Sequence, residues 1–311
     1  MSPAEGAADT APVLAIDIGG TKMAGGLVDS EGGLSRRTQV ETAPNPSAAL
    51  ARLVDIVLEG VPRVSGVGAG CGGPMAWPAG VVHPLNIPLW REGFPLRDWL
   101  RERVPGVPVR VHNDAICVAV GEAWCGAAAG CRDVLGMVVS TGVGGGLILD
   151  GHLRDGRTGN AGHIGHIIAE PGGPPCGCGA RGCLEAVARG PAIVAWAAER
   201  GSPAKDGREL AALARAGNEV AIAAFDRAGA AVGRAVAGAA ALLELDVVVI
   251  GGGLTGAGDL LFEPLHREFA AHAQLSYTRE TPVVVTGLGQ NSGLMGAAAL
   301  ILVADRYWTG D

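Results

Sequence analysis

No cluster of lysine or arginine occurs anywhere in the 311 residues, whose 24 basic side chains are outnumbered by 31 acidic ones for a net charge of -7. Such a chain lacks the cationic stripe that grips a nucleic-acid backbone, so no nucleic-acid partner is expected. A membrane-spanning run is missing too. The most apolar stretch, Val232 to Gly253, is broken by Arg234, Glu244 and Asp246. It reads as a buried helix followed by a buried strand, with no membrane partner. Residues 1–12 are small and polar, with neither a basic start nor an apolar middle. They read as a disordered leader and not as a signal peptide. The seven cysteines are an odd number. Without a secretory signal that count fits a reducing, cytoplasmic compartment, where clustered cysteines hold metal. What remains can build a large core: 48% of the residues are hydrophobic and 18% charged, which excludes a disordered chain. The length suits one large domain or two lobes.

Val13 to Ile18 is an apolar run ending in Gly19 and Gly20, and a second run, Met23 to Val28, follows before the turn Asp29 to Gly32. This predicts a hairpin around a glycine turn. The pattern recurs about half a chain later: Leu135 to Ser140, then Thr141 to Gly146, then Leu147 to Leu149, then Asp150 and Gly151. Two such units imply an internal duplication, each opening one of two facing lobes. Helices are predicted over Ser47–Glu59, Ala115–Trp124, Pro191–Arg200, Gly207–Ala216, Glu219–Leu243, Asp259–His272 and Ser292–Arg306. Strands are predicted over Val64–Gly70, Val107–His112, Asp246–Ile250 and Pro282–Thr286, the alternation giving an α/β class. The final helix is expected to return to the first lobe.

The P-loop pattern GxxxxGK[ST] is absent. Gly68, Gly70 and Gly73 fit the dinucleotide spacing GxGxxG, but Pro74 follows and no helix opens there, so they read as a loop approached closely by something else. The segment Asp17 to Lys22 differs. Glycines in a tight turn present N–H groups as a nest for phosphate oxygens. Thr21 adds a hydroxyl, Lys22 a cation, and Asp17 a carboxylate able to hold magnesium directly or through water. An ordinary hairpin turn would look the same. The segment Ser140 to Gly146 offers the same chemistry from the second lobe, and Gly251, Gly252 and Gly253 end a later strand, which together favour a nucleotide clamp.

His112, Asn113 and Asp114 lie between a strand and a helix. A carboxylate there can accept the proton of a hydroxyl during phosphoryl transfer. Either Asn113 or Asp114 would equally serve as a helix cap. His166, Cys176, Cys178 and Cys183 fall within eighteen residues, four ligands with no obvious fifth, which suits a closed tetrahedral zinc site of structural type. Gly177, Gly179 and Gly182 would permit the tight loop. Free thiols beside an unrelated histidine are the plainer alternative.

Asp17 to Lys22, Ser140 to Gly146 and the His/Cys cluster together resemble the ROK family of sugar kinases and repressors, in order from about Val13 to Ala299. The resemblance implies an actin-like (ribonuclease H-like) ATPase fold with two lobes around a cleft. The N-terminal lobe would be 13–114, completed by 292–311, and the C-terminal lobe 115–291, with a zinc loop at 162–190. It implies that Asp17, Gly19, Gly20, Thr21, Lys22, Ser140, Thr141, Gly142, Gly144 and Gly145 serve the phosphates of ATP with Mg2+, and that Gly251 to Gly253 lie near the adenosine. By the same match Asp114 is the catalytic base. Asn86, Asn113, Asp114, His166 and Glu185 hold the sugar, and His166, Cys176, Cys178 and Cys183 are the zinc ligands. A homodimer or higher homo-oligomer is implied as well.

One position departs from the commonest pattern. The family's glucokinases usually have Glu three residues before the zinc-ligand histidine, and here that residue is His163. The segment Gly162 to Gly190 resembles more closely the family's bacterial N-acetylmannosamine kinases, which have His there. A carboxylate only accepts hydrogen bonds, whereas neutral imidazole donates one and accepts one, so His163 is expected to alter which sugar is read. The expected reaction is transfer of the γ-phosphoryl group of ATP to a hexose hydroxyl, O6, with N-acetylmannosamine preferred and glucose the alternative. A sugar-sensing repressor would need a DNA-binding region, and about a dozen small residues before the first strand are too few for one. A zinc hydrolase would need an open coordination position, which four protein ligands do not leave.

Overall fold

The computed structural model describes residues 11–310, so most of the leader expected at 1–12 lies outside the described residues. By internal contacts the chain forms two compact units, one running to Cys117 and resuming at Gly293, the other Val118–Ser292.

The first unit is built on β1 (Val13–Ile18), β2 (Lys22–Val28), β3 (Leu34–Glu41) and β4 (Gly66–Cys71), with α1 (Pro46–Leu58) before β4. A small sheet follows, of β5 (Met75–Ala76), β6 (Val81–Val82) and β7 (Phe94–Pro95), then α2 (Leu96–Arg103), β8 (Val109–Asn113) and the first turn of α3 (Asp114–Cys125), whose remainder from Val118 belongs to the second unit. The main sheet has the order β3-β2-β1-β4-β8. β1 pairs antiparallel with β2, Asp17 opposite Ala24, and parallel with β4, Asp17 opposite Gly70. β3 was not foreseen: its residues Leu34 to Glu41 are largely polar and exposed, as at a sheet edge, and carry no apolar alternation. Helix α1 forms because Asn45 caps it, its side chain accepting from Ala48 N at 3.0 Å, and because Leu50, Leu53, Val54 and Val57 share one buried face. Each such side chain contributes about 1.5–3 kcal/mol on burial.

The second unit repeats the plan with β9 (Val134–Val139), β10 (Val143–Leu149), β11 (His152–Leu153), β12 (Val247–Gly251) and β13 (Val283–Val285), in the order β11-β10-β9-β12-β13. The first pair is again antiparallel and the next two are parallel, so the expected duplication is present in the topology. Its helices are α4 (Leu184–Ala188), α5 (Gly190–Ala198), α6 (Gly207–Arg215), α7 (Glu219–Leu243) and α8 (Asp259–His272). The glycine turn is shorter than the sequence implied. Gly144, Gly145 and Gly146 belong to β10, opposite Val138, Met137 and Gly136, and only Ser140 to Gly142 turn.

α9 (Ser292–Leu302) groups from Gly293 with the first unit. Two glycines admit it. A Cβ on Gly68 would stand 1.8 Å from the Ala297 carbonyl oxygen, and one on Gly296 would stand 1.6 Å from that of Cys117. The thing approaching the Gly68 segment is therefore this helix backbone. Among the described residues no helix is long and apolar enough to cross a membrane.

Candidate active site

In the first unit, Gly19 opens the turn between β1 and β2. Its N–H donates to the Lys22 carbonyl at 3.0 Å, and the Thr42 hydroxyl donates to the Gly19 carbonyl at 2.8 Å. Thr21 and Lys22 stand exposed at the tip. A Cβ on Gly20 would lie 2.8 Å from the Asn86 side chain, so this amide can pass Asn86 only as glycine. Asp17 sits on β1 against the first turn of α9, where a Cβ on Gly293 would be 2.7 Å from Oδ2. Burial, then the charge of Asp114, push its pKa to about 7, while Arg37 pulls it down. A buried carboxylate that nearby charge leaves so incompletely neutralised is a hard oxygen ligand that fits a magnesium ion.

Asp114 is the first residue of α3. Burial raises its pKa above the ordinary carboxylate value, against a hydrogen bond from Ala115 N–H at 2.8 Å to Oδ1. Asn113 Oδ1 also accepts from Ala115 N, at 3.0 Å. Capping and chemistry are thus compatible here, because each side chain has a second polar atom. A Cβ on Gly73 would be 3.2 Å from Asn113 Nδ2, and one on Gly72 would be 3.7 Å from Asp114 Oδ2 and 3.6 Å from Asn86 Oδ1. The bare backbone of Gly72 and Gly73 is thus the floor on which Asn86, Asn113 and Asp114 converge. His112, fully buried, fixes this junction by accepting from Asn113 N at Nδ1, 2.8 Å away.

In the second unit, Ser140 N donates to the Gly142 carbonyl at 2.8 Å, and Gly190 N donates to the Ser140 carbonyl at 2.8 Å. Glu185, on α4, accepts from Val143 N through Oε2 at 3.0 Å. Gly252 has φ 97°, and a Cβ there would lie 2.4 Å from the Val139 carbonyl, so β12 ends in a turn that only glycine admits. A Cβ on Gly253 would be 3.4 Å from Ser140 Oγ. The Gly251–Gly253 turn therefore stands beside Val139 and Ser140.

One ring nitrogen of His166 and the Sγ atoms of Cys176, Cys178 and Cys183 all lie within 4.8 Å of one another. Cys178 Sγ and Cys183 Sγ are 3.7 Å apart, and Cys176 Sγ and His166 Nδ1 are 3.8 Å apart. Tetrahedral zinc with arms of about 2.3 Å sets its sulfurs about 3.8 Å apart, so this donor set fits zinc. Gly179 (φ 93°) and Gly182 (φ 72°) make the loop turns, whereas Gly177 has an ordinary φ and open space around it, so that glycine is not demanded. The loop is held to α7 by Arg227, whose Nε and Nη2 reach Glu170 Oε2 at 2.9 and 2.8 Å. His163 precedes the short turn of Ile164–His166, its ring 6.3 Å from that of His166 and inclined by 22°.

Two groups escaped the sequence reading. One is the N–H of Val143 as the partner of Glu185. The other is Glu122, fully buried on α3, whose signal was a charged residue at a buried-face position of an apolar helix.

The model of the ROK family matches residues 13–304. The glucokinase of Thermotoga maritima is 35% identical over 310 residues, covering 93% of this chain and 96% of that protein. The N-acetylmannosamine kinase of Citrobacter koseri is 38% identical over 292 residues, covering 92% and 97%. The crystal structure of a ROK family glucokinase from Streptomyces griseus, in complex with glucose and AMPPNP, aligns with a TM-score of 0.80 at 34% identity, covering 93% of this chain and 99% of that one. With a duplicated mixed sheet, two glycine turns and the His/Cys cluster in place, the chain belongs to the ROK family and has its actin-like ATPase fold.

Proposed function

We propose that this ATP-dependent sugar kinase of the ROK family phosphorylates N-acetylmannosamine at O6. The convergence of Asn86, Asn113 and Asp114 on the bare backbone of Gly72 and Gly73 supports sugar phosphorylation most directly. Asp114 accepts the proton of the attacking hydroxyl, and burial favours that step by raising its affinity for a proton. Asn113 Nδ2 and Asn86 orient hydroxyls on that floor. The first unit offers the phosphates the N–H of Gly20, the Thr21 hydroxyl and the Lys22 ammonium, on a turn that the Gly19 N–H closes onto the Lys22 carbonyl. The second unit offers Ser140, Thr141 and Gly142, with Gly144 and Gly145 backing the turn from β10 and Gly251 to Gly253 toward the adenosine. Asp17 would hold magnesium, which when bound offsets charge on the phosphate oxygens. His166, Cys176, Cys178 and Cys183 would hold a structural zinc, which when bound orders the loop that leads into Glu185.

His166 bonds toward the cysteines through Nδ1, which leaves Nε2 for a sugar hydroxyl. His163 lies beside it and supports the N-acetylmannosamine assignment, as does the 38% identity to the Citrobacter koseri enzyme. Glucose is the second substrate to weigh, because the Streptomyces griseus glucokinase was solved with glucose bound. The lobe limits of 13–114 with 292–311, and 115–291, a cytoplasmic location and a homo-oligomeric state complete the proposal. A coupled ADP-release assay over hexoses and N-acetylhexosamines tests it. Turnover highest with N-acetylmannosamine is expected, and turnover with no sugar in the panel would refute it.

A further inference from the structure

The side chain of Glu122 is fully buried and takes no part in the chemistry above. Its Oε2 accepts from Ala127 N at 2.8 Å and from Gly287 N at 3.0 Å. Its Oε1 accepts from Leu288 N at 3.2 Å, from Ser292 Oγ at 2.7 Å, and from the Thr286 hydroxyl. All five donors are neutral, and although burial alone would raise the pKa of the carboxyl, the hydrogen bonds from Thr286, Ala127, Ser292 and Gly287 hold it below its ordinary value. Only a carboxylate accepts at every one of these positions. The amide of glutamine would turn two N–H bonds toward groups that are themselves donors.

The donors reveal what the anion does. Four of them come from residues 286–292, the segment joining β13 to α9, which is wrapped around this one side chain. The wrapping is tightened by Gly289 N donating to Thr286 Oγ1 at 3.0 Å. The segment starts beside the Gly251 turn. Thr286 N donates to the Ile250 carbonyl at 3.0 Å, and a Cβ on Gly251 would be 3.6 Å from Thr286 Cβ. Beyond Thr286 the strand pairing ends, and the segment's shape depends on Glu122.

We propose that Glu122 is a positioning residue for the nucleotide: its buried carboxylate fixes residues 286–292 as the wall beside the Gly251–Gly253 turn. This rests on the reading of that turn as the adenosine end of the site. Without the anion the segment keeps its covalent ends but loses its centre, so the wall is unset while the sugar-side residues Asn86, Asn113 and Asp114 are untouched.

The experiment is calorimetric titration of the intact protein with AMPPNP and, separately, with the sugar, for wild type and Glu122→Gln. Thr286→Val, which keeps the side-chain shape and deletes one donor to Glu122 together with the acceptor for Gly289 N, serves as the milder variant should Glu122→Gln fail to fold. AMPPNP affinity is expected to fall at least about tenfold in Glu122→Gln and about threefold in Thr286→Val, with sugar affinity within about twofold of wild type. A lowered melting temperature with unchanged AMPPNP affinity would make Glu122 merely structural and overturn the proposal. Equal losses for both ligands would overturn it too. A wild-type protein that binds no AMPPNP at all is a different failure, that of the kinase assignment itself.

Discussion

The carboxylate of Glu185 accepts a hydrogen bond from the backbone N–H of Val143 at 3.0 Å. Glu185 follows the zinc-ligand candidate Cys183 by two residues, and Val143 opens β10 directly after the second glycine turn. One oxygen therefore braces the second glycine turn, and in the proposed function the other meets a sugar hydroxyl. Removing a charged acceptor costs about 1.5–3 kcal/mol, or roughly ten- to a hundredfold. In Glu185→Ala, KM for ATP and KM for the sugar should both rise by at least the lower figure. Steady-state kinetics with each substrate varied in turn decides this. A rise confined to the sugar would show that the Val143 bond is incidental.

Asp114 carries the second prediction. Loss of a general base costs about a hundred- to ten-thousand-fold in rate. Asp114→Asn should lose that much kcat while binding of ATP and sugar is retained, because Asn113 and Asn86 remain. The pH dependence has a defined sign. The base works only when ionised, and burial raises its pKa above the ordinary carboxylate value. The kcat of wild type should therefore fall on the acid side at a pH above the usual carboxylate range. Near-normal turnover in the asparagine variant would refute the assignment.

The strands and long helices were legible because burial writes itself into periodicity. The predicted helices Glu219–Leu243 and Asp259–His272 match α7 and α8 residue for residue. The topology followed from one repeated signal, a strand, a glycine turn and a strand. What stayed hidden lacked apolar contrast: the exposed edge strand Leu34–Glu41, and the two-residue strands Met75–Ala76 and Val81–Val82 that shape the loop around Asn86. The glycines misled in a consistent way. Gly144 and Gly145 look like turn residues, yet they lie in a strand where space is short: a Cβ on Gly145 would be 2.9 Å from the Gly136 and Gly162 carbonyls. Glycine marks close approach as readily as it marks a turn, and sequence does not say which. Candidate ligands were easier, since His166 and the three cysteines are near in the chain, whereas Glu122 gathers Thr286 and Ser292 from across more than 160 residues.

The third prediction concerns the metal. Elemental analysis of the purified protein should give one zinc per chain. Cys178→Ser, at an exposed corner of the cluster, should lower that content and the melting temperature together, because binding energy at a structural site is folding energy. Chelation should lower the melting temperature of wild type more than that of the serine variant. Full activity and unchanged melting in zinc-free protein would sink this idea.

The last prediction concerns sugar choice. Asn86, Asn113, Asp114, His166 and Glu185 are groups that could hold hydroxyls of any hexose. His163 is the member of the set that departs from the glucokinase pattern, and its ring lies 6.3 Å from that of His166 at a small inclination. A neutral imidazole beside His166 can donate one hydrogen bond and accept another, so it can serve an N-acyl group as well as a hydroxyl. A site built around such a group rejects sugars that lack it, because its own polar atoms are then left unpaired. N-acetylmannosamine should accordingly give a higher kcat/KM than glucose. His163→Glu replaces a donor and acceptor by an acceptor alone, and should move the ratio toward glucose by about 1–3 kcal/mol, roughly ten- to a hundredfold. Kinetics of both proteins with both sugars separates the two claims. A wild type that prefers glucose overturns the substrate. A substitution that leaves the ratio unchanged overturns His163 as the determinant, and places the discrimination elsewhere in the loop between Gly162 and Gly190.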